Sequence, residues 1–299
     1  MWVGVAFLSA LMLGLYDVAK KRSLTGNAVV AVLWFNTLIS TLIFLPVVLD
    51  AELSLGVLDG SMLSYEPAGL SSHLLVAIKA VITLSSWLCG YYAMKHLPLS
   101  IVGPVNATRP VVVLIGAVLI FGERLNLWQW AGVIVAILSL YLLSRSSKKE
   151  SVSFTSIHAI AMFAAMLLGA ASGLYDKYII WQHSLDPLFV QSWFSIYQLA
   201  IMSVIALVIW YPRRGSDKFR WSWAIPLISI FVSLADFCYY HAISMDGSMI
   251  AVISMIRRFS VVVSFVCAAL IFGEKNIKSK AIDIALILIG MVLLAIGSV

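Results

Sequence analysis

The sequence predicts an all-α integral membrane protein: ten transmembrane helices in two inverted five-helix repeats. Three observations carry that reading. Of 299 residues, 62% are apolar and only 11% charged, too little charge to cover the surface of a soluble chain of this length. The apolar residues fall in runs of about 20, the length that crosses a bilayer. Finally, a signature occurs twice: Leu119-Ile120-Phe121-Gly122-Glu123-Arg124 returns as Leu270-Ile271-Phe272-Gly273-Glu274-Lys275.

Each span has its own limits. The first, 2–22, closes on Lys20-Lys21-Arg22, and the second, 28–49, ends at Asp50. The third, 73–94, stops before Lys95, and the fourth, 99–121, stops at Gly122-Glu123. Trp128 and Trp130 open the fifth, 127–144, and Arg145 follows it. Trp181 follows the sixth, 156–180, while Trp210 and Tyr211 end the seventh, 188–211. The eighth, 222–243, opens beside Trp221 and Trp223. The ninth, 249–272, meets the second Gly-Glu, and the tenth is 282–298. Aromatic residues at so many ends form the interfacial belt of bilayer helices. No segment reads as strand, because an open sheet edge in hydrocarbon leaves backbone groups unsatisfied.

Two weaker echoes support the duplication. Gly14-Leu15-Tyr16-Asp17 returns as Gly173-Leu174-Tyr175-Asp176, and Cys89-Gly90-Tyr91-Tyr92-Ala93-Met94 resembles Cys238-Tyr239-Tyr240-His241-Ala242-Ile243. The repeats are therefore assigned to 1–147 and 153–299. Five spans is an odd number, so the second copy sits upside down relative to the first, the architecture that supports alternating access. Placing both termini outside puts Lys20, Lys21, Arg22, Lys95, Arg145, Arg213, Arg214 and Lys275 inside, and leaves Arg124 and Lys177 outside with the acidic 50–72 loop. The positive-inside rule favours that orientation. The N-terminal apolar segment lacks a positively charged opening and reads as the first span rather than a leader.

These residues resemble the EamA-like ten-helix branch of the drug/metabolite transporter superfamily. The matching stretch is Tyr92-Ala93-Met94, then Pro110, then Gly122-Glu123-Arg124 with Trp130 and Gly132 following. The resemblance covers essentially the whole chain as two tandem repeats, although Val261 stands where the second repeat would carry the counterpart of Pro110. It implies a metabolite transporter of a bacterial plasma (inner) membrane, with a central cavity lined by spans one, three, four, six, eight and nine. Family members are usually drawn with both termini in the cytoplasm, opposite to the charge count here.

Charges inside hydrocarbon cost about 2.5–3.5 kcal/mol each at a helix centre, so their presence asks for a reason. Arg109 lies in span four between Pro104 and Pro110, which can free carbonyls and break the helix. It reads as a carboxylate anchor, or as half of an ion pair with an aspartate. Arg257 and Arg258 are neighbours in span nine and point about 100° apart, so at most one faces a cavity; Arg258 is favoured by depth. Asp236 in span eight couples protons if it stands alone and is scaffolding if it pairs with Arg258.

Asp17 and Asp176 are repeat-equivalent and read as gating or proton-coupling groups, or as interfacial charges near helix ends, Asp17 beside Lys20 and Lys21. Tyr92 and Tyr240, with Tyr91 and Tyr239, either line the cavity or pack. Glu123 and Glu274, the hallmark residues, read as interfacial pins at glycine-terminated helix ends. Lys79 reads as reaching the headgroups.

The substrate set is therefore Arg109, Arg258, Asp236, Tyr92 and Tyr240. Three arginines against three aspartates leave the core near balance and suit a zwitterion, such as an amino acid, moved by a secondary transporter in the export direction. A flippase for a lipid-linked headgroup is the alternative within transport. A membrane enzyme is disfavoured: the histidines are scattered and no nucleophile–base spacing or phosphate-cradling loop occurs. Cys89, Cys238 and Cys267 lie in apolar runs without metal or disulfide spacing. No cofactor, metal or nucleic-acid partner is expected, only a small-molecule substrate, the lipid bilayer, and a monomeric or weakly dimeric state; the net charge of +6 reflects basic loops at an anionic membrane face.

Overall fold

The structure is a computed structural model that describes residues 1–24, 26–96, 99–145, 157–260, 262–263, 266–267 and 277–297. Ten α-helices are present among the described residues. In order they are α1 (Trp2–Leu24), α2 (Val29–Glu52), α3 (Leu70–His96), α4 (Leu99–Phe121), α5 (Leu127–Arg145), α6 (Ile157–Lys177), α7 (Pro187–Ile205), α8 (Ala224–Ser244), α9 (Ile250–Ile256) and α10 (Ile277–Ile296). Six of the described segments are long and apolar enough to cross a membrane. The all-helical membrane fold read from the sequence is the fold observed.

Local chemistry sets the ends. Asp186 caps α7, its carboxylate accepting from the Leu188 and Phe189 amides at 2.7 and 3.2 Å, with Pro187 in the first turn where its missing N–H costs nothing. Asp50, at the end of α2, accepts from the Val57 and Leu58 amides at 2.8 and 3.1 Å and so ties down the start of the acidic loop. Gly122 ends α4 with a φ of +64°, the left-handed conformation that glycine supplies without strain.

Two helices run longer than the sequence suggested. α3 begins at Leu70 rather than 73, and α6 continues through a π-helical turn, Tyr178–Gln182. The expected break at Pro104 and Pro110 is not where the backbone changes. α4 is continuous through both prolines, whereas α9 tightens to a 3-10 turn at Arg257–Phe259. Short 3-10 stretches within a helix often mark hinges.

Packing is reciprocal between the first five and the last five helices. α1 lies against α8 and α3 against α6; α2 pairs with α7, α5 with α10 and α4 with α9. Lipid tails are as apolar as leucine, so close approach and hydrogen bonds hold such helices together. At the α5–α10 crossing a Cβ on Gly132 would lie 2.8 Å from the Gly290 carbonyl oxygen, so only glycine allows that contact. Across α1 and α8 the Ser9 hydroxyl donates to the Ala235 carbonyl at 2.6 Å, and across α2 and α7 Thr41 donates to the Ser195 carbonyl at 2.9 Å.

Candidate functional site

Four helices and the 3-10 turn bring the predicted charged residues together in the interior. Arg109 projects from α4 toward α6, where a terminal guanidinium nitrogen donates to the Gly169 carbonyl. No carboxylate pairs with it among the described residues, so the ion-pair alternative for Arg109 is not what the structure contains. Small Gly169 makes the approach possible: a Cβ there would lie 2.7 Å from the Arg109 Cζ.

The two neighbouring arginines divide their roles differently from the sequence reading. Asp236 pairs with Arg257, not Arg258, at 2.9 Å, and the Arg257 guanidinium also lies over the Tyr239 ring at 4.1 Å. Arg258 stands within electrostatic reach of Arg109, Arg257 and Asp17. Its Nε makes no hydrogen bond, nor does that of Arg257. Asp17 has Lys20, Arg258 and Arg257 as its electrostatic neighbours, so its lysine partner is joined by the arginines of the second half.

Lys79 and Asp176 correct the sequence reading most clearly. Lys79 does not reach headgroups and Asp176 is not interfacial; they are 2% and 4% exposed and form an ion pair with each other. The reason is helix length. With α3 starting at Leu70, Lys79 lies more than two turns inside its helix, and the π-turn beyond α6 carries the chain on past Asp176. The Tyr239 hydroxyl donates to the other Asp176 oxygen at 3.2 Å. The Lys79 ammonium also sits over the Phe194 and Tyr240 rings, at 4.3 and 5.1 Å from their centroids. Tyr240 is thereby packed, 2% exposed. The side chains of Tyr91 and Tyr92 lie outside the described ones.

Glu123, read as an interfacial pin, is buried and joins the halves. One carboxylate oxygen accepts from the Lys177 ammonium at 2.7 Å and from the Ile250 amide at 2.7 Å; the other accepts from the Ala251 amide at 3.1 Å. It therefore satisfies two of the unpaired N–H groups at the α9 N-terminus, where the helix dipole favours negative charge. Lys177 completes the set by donating to the Ser248 carbonyl at 2.9 Å. No local pattern foretold this, because Glu123 and Ile250 are far apart in the chain. Glu274, its repeat counterpart, lies outside the described residues.

The charge count also changes. Lys177 and Glu123 neutralise each other. In the centre, Lys79, Arg109, Arg257 and Arg258 face Asp17, Asp176 and Asp236, four cations against three anions, and Lys20 is a further cation beside Asp17. The sequence reading of near balance omitted Lys79. With Asp176 and Asp236 already paired, the remaining positive charge rests on Arg109 and Arg258. Guanidinium is the side chain best shaped to grip a carboxylate with two parallel hydrogen bonds. The described residues hold no cluster of histidine, cysteine, aspartate and glutamate that fits a metal.

Residues 1–145 match the EamA-like transporter family, part of the drug/metabolite transporter superfamily. That match spans just under half of the chain and is a likeness to a family of membrane transporters. The EamA-like segment contains α1 to α5 and with them Asp17, Lys79, Arg109 and Glu123. A solved crystal structure, described only as that of a protein, is similar over 98% of this chain and 95% of its own, with a TM-score of 0.71 at 14% identity. At that identity the likeness speaks for the fold alone. No curated protein sequence matches the chain.

Proposed function

We propose that the chain is a secondary transporter of a small polar metabolite bearing a carboxylate, an amino acid or another zwitterion, in a bacterial plasma membrane. The observation that carries this is the pair Arg109 and Arg258, held in the interior without a carboxylate ion pair among the described residues. A guanidinium in the membrane is costly and persists where an anionic group meets it. The ammonium end of the substrate would face Asp17, whose neighbours are Lys20, Arg257 and Arg258.

Movement follows alternating access, the halves 1–147 and 153–299 rocking as inverted repeats about the centre. The reciprocal pairing of α1 with α8 and α3 with α6 supports that symmetry. The Glu123–Lys177 contact closes one end, and the 3-10 turn beside the arginines supplies a hinge. Flow is outward. Proton coupling runs through Asp17 rather than Asp176 or Asp236, since both of those are held in ion pairs.

The test is counterflow of radiolabelled amino acids, amines, sugars and organic acids in proteoliposomes, with and without a pH gradient. Amino acids or organic acids should exchange, and Arg109→Ala should lower apparent affinity at least tenfold while Arg109→Lys keeps part of it. Unchanged affinity and rate in Arg109→Ala would remove the anchor.

A further inference from the structure

A narrow cleft opens beside the charged centre, between α2, α3, α7 and α8. Ser40, Trp87, Gln191, Gln198, Ser233 and Asp236 are among its lining residues. α2 and α7 are helices that the sequence reading left out of the cavity. Ser40, Gln191, Gln198 and Ser233 are 8%, 3%, 6% and 6% exposed. Each nevertheless has a polar atom without a hydrogen-bond partner: Ser40 Oγ, Gln191 Oε1, Gln198 Nε2 and Ser233 Oγ. Buried polar groups are nearly always satisfied, because leaving one unpaired costs its full desolvation. Four at one place are better explained as a site than as four defects.

The unpaired atoms have a pattern. The Gln191 amide nitrogen donates to the Ser233 carbonyl at 2.7 Å, which fixes Oε1 as an acceptor. Gln198 offers a donor. Serines in helices usually return their hydroxyls to the preceding turn, as Ser203 does to the Leu199 carbonyl at 2.7 Å. Ser40 and Ser233 do not, so each remains free to donate or accept. Asp236 belongs to both places: it lines the cleft while its carboxylate holds Arg257, the neighbour of Arg258. The cleft has a cavity volume of about 20 Å³. That admits a small terminal group, not a whole metabolite.

We propose that this cleft is the side-chain subsite of the transport site and that it takes an uncharged hydrogen-bonding group, a carboxamide or a hydroxyl. The inference rests on the zwitterion reading above. A carboxamide brings an acceptor for Gln198 and donors for Gln191 and the serines. A carboxylate has no donor for Gln191 and adds negative charge beside Asp236. An ammonium has no acceptor for Gln198. An alkyl group would leave all four atoms unpaired, the situation in which polar sites discriminate most strongly.

The experiment is counterflow in proteoliposomes with the full chain, using L-glutamine, L-asparagine, L-serine and L-threonine against L-leucine, L-lysine, L-glutamate and L-alanine. At least one polar uncharged amino acid should exchange about tenfold or more better than leucine, lysine and glutamate. Gln191→Leu and Ser233→Ala should each reduce that exchange about tenfold to a hundredfold while alanine exchange stays within about twofold. Thermal unfolding of both variants guards against misfolding: Ser233→Ala removes only an unpaired hydroxyl and should leave the unfolding temperature unchanged or raise it, whereas Gln191→Leu also gives up the bond to the Ser233 carbonyl and should lower it by a few degrees. Leucine exchanged as well as glutamine and serine, or variants that depress alanine equally, would overturn the subsite and leave the zwitterion reading standing. No exchange of any amino acid would remove both.

Discussion

Replacing Glu123 with alanine should be among the most damaging single changes in this protein, and its cost can be worked from the contacts. The carboxylate accepts three hydrogen bonds: one from Lys177 and two from the first amides of α9. The Lys177 and Glu123 side chains are 9% and 5% exposed, so truncation leaves a cation stranded away from water. Breaking a buried pair by removing one partner costs about 3–5 kcal/mol, and a lost N-terminal cap costs about 1 kcal/mol, partly counted in the same loss. Taking about 3–5 kcal/mol, and about 2–4 °C per kcal/mol for chains of a few hundred residues, the unfolding temperature should fall by about 6–20 °C. Thermal unfolding of the purified protein in detergent, followed by tryptophan fluorescence, reads this directly. Adding Lys177→Met to Glu123→Ala should restore a large part of the loss, because the stranded charge is then gone. Glu123→Gln should fall between, since it keeps an acceptor but loses the charge-assisted bonds. A Glu123→Ala protein that unfolds within about 2 °C of the parent, or a double variant no better than the single, would refute the reasoning.

Two further outcomes follow from other contacts. In Gly169→Ala the new methyl would meet the Arg109 guanidinium at 2.7–3.0 Å; the mobile end of a long side chain yields, so unfolding should stay within about 2 °C while transport drops about tenfold to a hundredfold, as a displacement near 1 Å can do. For orientation, single cysteines placed in the 53–69 loop should react with an impermeant thiol reagent applied outside intact cells, and cysteines at 215–217 should not; the reverse labelling would put the termini in the cytoplasm.

How much was legible in advance depends on the range over which each interaction acts. Span limits were readable because crossing a bilayer is a local demand on about 20 consecutive side chains. The first eight apolar runs predicted helices that the structure places within a few residues; of the ninth, 249–272, the described α-helix is Ile250–Ile256, and the last begins at Ile277 rather than 282. Asp17, Arg109 and Asp236 were singled out because a charge in an apolar run is visible in isolation. Their partners were not, since pairing is decided by helix rotation and depth. Thus Asp236 meets Arg257 instead of Arg258, and Lys79 lies deep enough to hold Asp176. The stripe of Asn36, Thr37, Ser40 and Thr41 on α2, and of Gln191, Ser192, Ser195 and Gln198 on α7, was a signal present in the sequence but overshadowed by the formal charges.

The sequence alone determined that this is an all-helical membrane protein, that signatures such as Phe121-Gly122-Glu123 recur along it, and that cations and anions are embedded in its apolar runs. Those properties depend on composition and on self-similarity along the chain. Only the tertiary structure decided that Glu123 caps a helix from the other half, and that Arg109 and Arg258 come together in the interior without a carboxylate ion pair among the described residues. It alone gathered the unpaired groups of α2, α7 and α8 into one cleft. The physical reason is that hydrogen bonds and ion pairs in a low-dielectric interior are set by separations of a few ångströms between residues far apart in the chain, a quantity that exists only once the helices have packed.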